Sequence, residues 1–378
     1  MKVVVIPDKF KGSLSSEEVC DSIEKGILKV SPNANVVKHP IGDGGEGTLD
    51  ILAASLQLHK RELTVKDPLF RPINSYYYHA DEVAYVELAL SSGLPLLDQS
   101  DRNVMETSTI GTGEVIKDAI LQGCKTIYLL IGGSSSNDAG MGILHALGFR
   151  FLDSNADVLK PIGKSLNRVT AIDDSNLLID VDQVSIKVIC DVKNPFYGIN
   201  GAAYIYGKQK GISAESDIET LDKGLRSFAE VIQEKYSVDI NRVSGAGAAG
   251  GVGGGLYAIL SSELLPGTET LLKLTRFHQQ VTGADLVISG EGKIDKQTPN
   301  GKVVHGIIEY CEKLNLPVGL ICGIKQTNFY DELPEVYGPY QIKTSDISFE
   351  QAINSAAKIL VERSVELMQD FISNQKGL

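Results

Sequence analysis

Both ends of this chain follow one order: a short, wholly apolar run, a polar or glycine-rich loop, then an amphipathic helix. KVVVIP, from Lys2 to Pro7, is continuous rather than alternating, the pattern of a strand buried on both faces. DKFKGSL follows it. Ser15 with Glu18 then makes a capping box, opening a helix that carries Val19, Ile23, Ile27 and Val30 at helical spacing. Val36 to Ile41 reads as a second strand, GDGGEGT as a turn, and Thr48 to Leu58 as a helix. Near the other end, DLVIS (Asp285 to Ser289) is a strand and GEGKIDKQTPNGK a loop. A helix through Val303 to Lys313, the strand PVGLIC and a short strand near Tyr340 to Lys343 come next. Ser348 with Gln351 opens a last helix to about Phe371. Strands alternating with helices imply a parallel sheet with helices on both faces.

The middle of the chain reads differently. DPLFRP is a turn with two prolines. Tyr76 to His79 and Val83 to Leu88 flank a short Ala80-Asp81-Glu82 link, the pattern of a hairpin. A helix from Thr112 to Gln122, the strand TIYLLI, the loop GGSSSNDAGMG, the strand VSIKVICDV and a helix over 214–236 follow. The expectation is an α/β protein of two domains, as a length of 378 residues allows. Residues 1–65 with 284–378 form a flavodoxin-like parallel-sheet domain, and 66–283 an inserted second α/β domain.

Composition excludes some functions. A net charge of −12 argues against nucleic acid or an anionic membrane as the main partner, since phosphate backbones reward clustered Lys and Arg. Small anionic ligands stay possible, because a few lysines and backbone amides suffice for them. The five cysteines form no CxxC pair and the six histidines no HExxH, so neither a disulfide framework nor a zinc site is indicated. The first apolar run is too short for a signal peptide, and no run approaches the ~20 residues of a membrane helix. The reading is a reduced, cytoplasmic protein. Monomer and homo-oligomer both stay open.

Five loops sit where ligands bind in open α/β sheets, at the carboxyl ends of strands. In the first, Asp8, Lys9, Lys11 and Ser13 stand between a strand and a helix start, suited to an anion or a substrate hydroxyl. In the second, Asp43, Gly44, Gly45, Glu46 and Gly47 allow close backbone approach beside two carboxylates. The third, Gly132 to Gly142, offers amides and the hydroxyls of Ser134, Ser135 and Ser136 to phosphates, with Asn137 and Asp138 as a metal-type pair. The fourth places Asp191 at a strand end, ahead of Asn194-Pro195, where a general base is well placed. The fifth mixes Glu291, Lys293, Asp295 and Lys296. Each also has a plain reading as a capped or solvated turn. Gly245, Gly247 and Gly250 satisfy G-x-G-x-x-G, but DINRVS before them is a poor strand for a dinucleotide fold. A phosphate loop and a close packing contact both remain open there. The G-x-x-x-x-G-K-[ST] phosphate loop and the protein-kinase signatures are absent.

Taken in order, eight stretches resemble the type I glycerate kinases: VVIPDKFKGSLSS, HPIGDGGEGTLDIL, KDPLFRPI, STIGTGEVIKDAI, IGGSSSNDAGMGILHALGF, CDVKNPFYGINGAAYIYGKQKG, SGAGAAGGVGGGL and SGEGKIDKQTPNGK. The resemblance runs from residue 1 to about 375. It implies ATP- and Mg²⁺-dependent phosphorylation of glycerate, generally giving 2-phosphoglycerate and in some members the 3-phosphate. It also implies a flavodoxin-like domain with an inserted domain resembling the restriction-endonuclease fold. The family usually has Asp-Ser where this chain has Asp8-Lys9, and often Ala-Thr where it has Ser135-Ser136.

Phosphoryl transfer needs positioning and charge neutralisation more than covalent chemistry. The expected catalytic residues are Asp191 as base, with Lys11 and Asp8. Ser13, Asp43, Gly44, Gly45, Glu46 and Asn194 are expected to bind substrate. Gly133, Ser134, Ser135, Asn137, Gly245, Gly247 and Gly250 would cradle ATP, and Asp138, Glu291 and Asp295 would hold Mg²⁺. Two competing readings are a nicotinamide-linked hydroxy-acid dehydrogenase using the GAGAAG loop and a non-catalytic sugar-acid sensor.

Overall fold

The computed structural model describes residues 1–375 except Asp43, Ser213, 296–297, 299–302, Glu332, Pro334 and the Asp182 side chain. The chain divides into two compact units, Met1–Asp43 with Gly267–Leu378, and Gly44–Pro266.

In the first unit, Lys2–Val5, Asn35–Lys38, Leu286–Ile294, Val318–Lys325 and Val336–Gln341 form a five-stranded sheet. Every neighbouring pair is parallel. Numbered in chain order, the strands lie 2-1-3-4-5 across it. Val3, Val4 and Val5 are wholly buried, as a continuous apolar run requires; each such side chain contributes about 1.5 to 3 kcal/mol relative to exposure. The Ser15–Glu18 box opens the helix Ser16–Val30, with Ser15 Oγ accepting from the Glu18 amide. That helix crosses the last one closely: a Cβ on Gly26 would lie 2.4 Å from the Ser364 Cβ. The Ser348–Gln351 box starts only the short helix Phe349–Asn354. The chain turns at Ser355 and resumes as Ala356–Gln375, so the expected single helix is two.

GEGKI, read above as loop, is the second half of the central strand. Glu291 pairs with Cys322, and Ile294 with Lys325. The glycines permit this. A Cβ at Gly290 would lie 2.1 Å from the Ile321 carbonyl oxygen, and one at Gly323 2.3 Å from that of Gly292.

The second unit holds a six-stranded sheet ordered Glu263–Leu265, Ser185–Ile189, Thr126–Leu130, Val83–Glu87, Pro72–Ala80, His59–Lys66. The first four are mutually parallel and the last two pairings antiparallel. This corrects the expected boundaries. His59–Lys66 pairs along its whole length with Pro72–Ala80, so residues 44–65 belong to the second unit. The helices Gly267–Leu274 and Phe277–Val281 belong to the first. His39 hydrogen-bonds Thr275 Oγ1 at 2.9 Å and packs on Phe277, and burial pushes its imidazole down to about 4. Among the described residues, no helix is long and apolar enough to cross a membrane.

Candidate active site

In the first unit, Asp8 follows the first strand and its amide donates to the Gly290 carbonyl at 2.9 Å. Its carboxylate accepts from the Lys9 amide at 2.7 Å and is largely buried. Phe10 and Leu14 close a tight loop through two backbone hydrogen bonds, leaving Lys11 exposed at its tip. Gly292 lies under this loop: a Cβ there would meet the Lys11 amide nitrogen at 3.3 Å. The first and fifth candidate loops are therefore neighbours, bringing Asp8 and Lys11 towards Glu291. Glu291 is 7% exposed and accepts from Thr298 Oγ1 at 2.9 Å. Asp295 pairs with Lys293 at 3.2 Å. The Ser13 hydroxyl donates to the Ile353 carbonyl, which leaves only its acceptor lone pairs for the expected substrate contact. Asp43 lies outside the described residues.

In the second unit, the strands Val83–Glu87, Thr126–Leu130 and Ser185–Ile189 are adjacent and parallel, so their carboxyl ends share one edge. Glu87, the 131–140 turn and Asp191 all fall there. Glu87 is buried and accepts from the Gly47 amide at 3.3 Å and the Leu49 amide at 3.1 Å. It thereby satisfies the start of the helix Thr48–Leu56, whose N-cap Gly47 has no side chain to do so. Glu46 on the same turn is exposed. Gly44 accepts from the Gly132 amide at 3.3 Å, and a Cβ on Gly132 would sit 2.6 Å from Gly45 Cα. The second and third loops thus touch through glycine backbone.

Asp138 is fully buried. Its carboxylate accepts from the Thr109 amide (2.7 Å) and hydroxyl (2.8 Å) and from the amides of Gly140 (3.2 Å) and Gly142 (3.1 Å). Burial pushes its pKa up, and these four donors pull it back. Its oxygens are committed to anchoring the turn, which replaces the metal-binding role expected for it. Ser135 is likewise consumed, donating to the Ser92 carbonyl at 2.9 Å. Gly133 is exposed with φ +72°, and Ser134 lies just beneath the surface.

The glycine run mainly packs the chain against itself. Gly247 donates to the Asn194 carbonyl at 3.0 Å, and Gly250 accepts from the Ala139 amide at 3.0 Å. A Cβ on Gly250 would lie 2.1 Å from the Ser136 carbonyl oxygen, and one on Gly245 3.1 Å from that of Val192. Ala249, Gly250 and Gly251 are left-handed before the helix continues to Leu260. A 3-10 turn, Ile240–Arg242, precedes the run in place of the strand a dinucleotide fingerprint needs. Of the two readings left open, close packing describes Gly247 and Gly250. The Asn194 carboxamide accepts from the Tyr206 hydroxyl and donates to the Asn200 carbonyl, which keeps one N–H and one lone pair for other contacts. Asp191 stays half-buried at the strand end; burial, with the Asp191 charge adding to it, pushes the neighbouring Cys190 thiol up to about 12.

Lys210 was not singled out in the sequence. It is 3% exposed, donating to Ser134 Oγ at 2.8 Å and to the Ser136 carbonyl at 2.7 Å. It stands in YGKQKG among three lysines of the CDVKNPFYGINGAAYIYGKQKG stretch, and no local pattern sets it apart from Lys208. Among the described residues, no group of three His, Cys, Asp or Glu side chains is arranged to hold a metal. Mg²⁺ commonly takes only one or two carboxylates when it travels with substrate phosphates, a set that Glu291 and Asp295 fit and Asp138 does not.

Comparison with known proteins follows the same lines. The glycerate kinase family profile matches residues 3–372. The chain is 38% identical over 360 residues to a glycerate kinase of Bacillus cereus, covering 94% of each. It is 41% identical to the glycerate 2-kinase of Escherichia coli K12, covering 85% of each. The crystal structure of a protein assigned as glycerate kinase 2 from Salmonella typhimurium LT2 superposes with a TM-score of 0.84 at 33% identity, covering 100% of this chain and 99% of that one. With two units built on parallel sheets and a match across nearly its whole length, the chain belongs to the glycerate kinase family.

Proposed function

We propose that this protein phosphorylates D-glycerate with ATP and Mg²⁺ in the cytoplasm, giving 2-phosphoglycerate. The observation that carries the reading is the meeting of the Gly44–Thr48, Gly132–Asp138 and Gly245–Gly251 loops with Asp191 at one edge of parallel strands, in a chain of this family. The name of the Escherichia coli relative supports the 2-position. The 3-hydroxyl is the alternative, since the two acceptors are one bond apart and positioning alone selects between them.

On this reading the exposed Gly133 and the Ser134 hydroxyl meet the ATP phosphates, while the 245–251 run buttresses that turn from behind. Asp191 accepts the proton of the acceptor hydroxyl as transfer proceeds. Glu46 and the Gly45 backbone orient glycerate. Within the first unit, Glu291 and Asp295 are the carboxylates that would hold Mg²⁺, which would supply charge neutralisation. Lys9 adds a cation beside Asp8. The 2-1-3-4-5 all-parallel order supports a flavodoxin-like first unit, and the family resemblance supports a restriction-endonuclease-like second one. The missing strand before the glycine run counts against a dehydrogenase.

The test is incubation of the protein with D-glycerate, ATP and Mg²⁺, followed by ³¹P NMR. A phosphomonoester coupled to a single proton is the expected product. Coupling to two protons would move the reaction to the 3-position, and no phosphomonoester at all would refute the kinase.

A further inference from the structure

Buried ammonium groups are rare unless paired, because a charge removed from water must recover its hydration elsewhere. Lys210 is buried with two neutral acceptors, the Ser134 hydroxyl and the Ser136 carbonyl. Among the described residues no carboxylate forms an ion pair with it. Asp138 is the charged group that acts on it, and that carboxylate is spent on Thr109, Gly140 and Gly142.

A second observation lies on the same turn. Ser136 Oγ and Asn137 Nδ2 are buried and have no hydrogen-bond partner among the described residues; Ser136 is 0% exposed and Asn137 2%. Buried polar atoms left unsatisfied in a native fold call for an explanation. The turn is poorly placed to relax around them, because Gly250 packs so closely that a Cβ there would lie 2.1 Å from the Ser136 carbonyl oxygen and 2.6 Å from Asn137 Cα. Ala139 and Ala249, on the two touching segments, are both held left-handed, at φ +54° and +52°. Such strain persists only where the surroundings over-determine it.

We propose that Lys210, with Ser134 and the Asn137 amide, forms an oxyanion-binding subsite of the 132–137 turn that takes a phosphate or carboxylate group. The proposal deepens the kinase reading above and rests on it for the identity of the reactants. Ser134 Oγ accepts from Lys210, so its own proton is left to donate, and the adjacent Gly133 is exposed. Lys210 is thus a positioning residue: it polarises Ser134 and supplies positive charge from behind. Burial pushes its pKa down to about 7, with Asp138 opposing the shift. The subsite therefore holds its charge below neutrality and loses it above, unless an anion is bound.

Two measurements test this on the full chain. Steady-state kinetics of wild type, Lys210→Met and Lys210→Arg give KM for ATP and for glycerate. Calorimetric titration with sulfate, whose own charge is constant over the range, gives anion affinity from about pH 6 to about pH 8. Lys210→Met is expected to raise one KM about tenfold or more with a smaller change in kcat, and Lys210→Arg to recover part of it. A rise for ATP alone assigns the oxyanion to a nucleotide phosphate, and a rise for glycerate alone to the substrate carboxylate. Wild-type sulfate affinity should fall as pH passes about 7, and this dependence should vanish in Lys210→Met. A folded Lys210→Met with both KM values and the sulfate profile of wild type would overturn the proposal. So would a loss of thermal stability that moves neither. Should Lys210→Met not fold, the wild-type profile and Ser134→Ala decide: a flat profile, or sulfate affinity unaltered in Ser134→Ala, overturns it. A wild type that binds sulfate as described yet makes no phosphoglycerate would sink the kinase reading and leave the subsite standing.

Discussion

Asp138 and Asp191 follow neighbouring parallel strands of one sheet, each in a loop that looks suited to chemistry. Their surroundings differ completely. Asp138 is fully buried and accepts four hydrogen bonds, two from Thr109 and two from glycine amides. Asp191 stays half-buried at the strand end. A second pair repeats the contrast on the Gly44–Thr48 turn, where buried Glu87 holds two helix-start amides and Glu46 is exposed. For Asp138 and Glu87 an anchoring role follows from burial and from donors that include distant ones, Thr109 for the first and the Gly47 and Leu49 amides for the second.

The contrast can be broken by substitution. The largest expected effect is on stability: Asp138→Ala strands four buried donors and should cost about 3 to 5 kcal/mol, read from urea unfolding. A loss under ~1 kcal/mol would mean the turn is not anchored there. Next, Asp191→Asn should cut turnover about 10²-fold or more, with unfolding free energy within about 0.5 kcal/mol of wild type. Wild-type turnover in that variant would remove Asp191 from the mechanism. Glu87→Ala should lose about 1 to 3 kcal/mol, because the Gly47 and Leu49 amides lose their acceptor. If its thermal midpoint equals that of wild type, the helix start is satisfied in another way. The smallest effect is expected from Glu46→Gln, with stability unchanged within about 0.5 kcal/mol and a higher KM for glycerate. A clear drop in stability there would place Glu46 with the anchoring carboxylates instead.

Much of the fold was legible in the chain. The buried run at Val3 to Ile6 and the Ser15–Glu18 box are local signals, and both stand where expected. The Ser348–Gln351 box also forms, yet the helix it opens ends at Asn354. The unit boundary was misplaced because His59–Lys66 has few apolar residues, and its pairing with Pro72–Ala80 makes it a strand. GEGKI was read as loop because glycine and charge usually mark one. Its glycines instead let the Gly290 and Gly323 backbones approach neighbouring carbonyls.

The sequence by itself determined the alternation of strands and helices, the capped starts and the family. Each of these is carried by neighbours along the chain or by a long ordered set of motifs. The tertiary structure alone decided which polar groups remain available for chemistry. Thr109 reaches Asp138, Glu87 reaches the Gly47 amide, and Lys210 reaches Ser134 across long stretches of sequence. Hydrogen bonds to a buried charge are short-ranged in space and indifferent to separation along the chain, so no local pattern could have announced them.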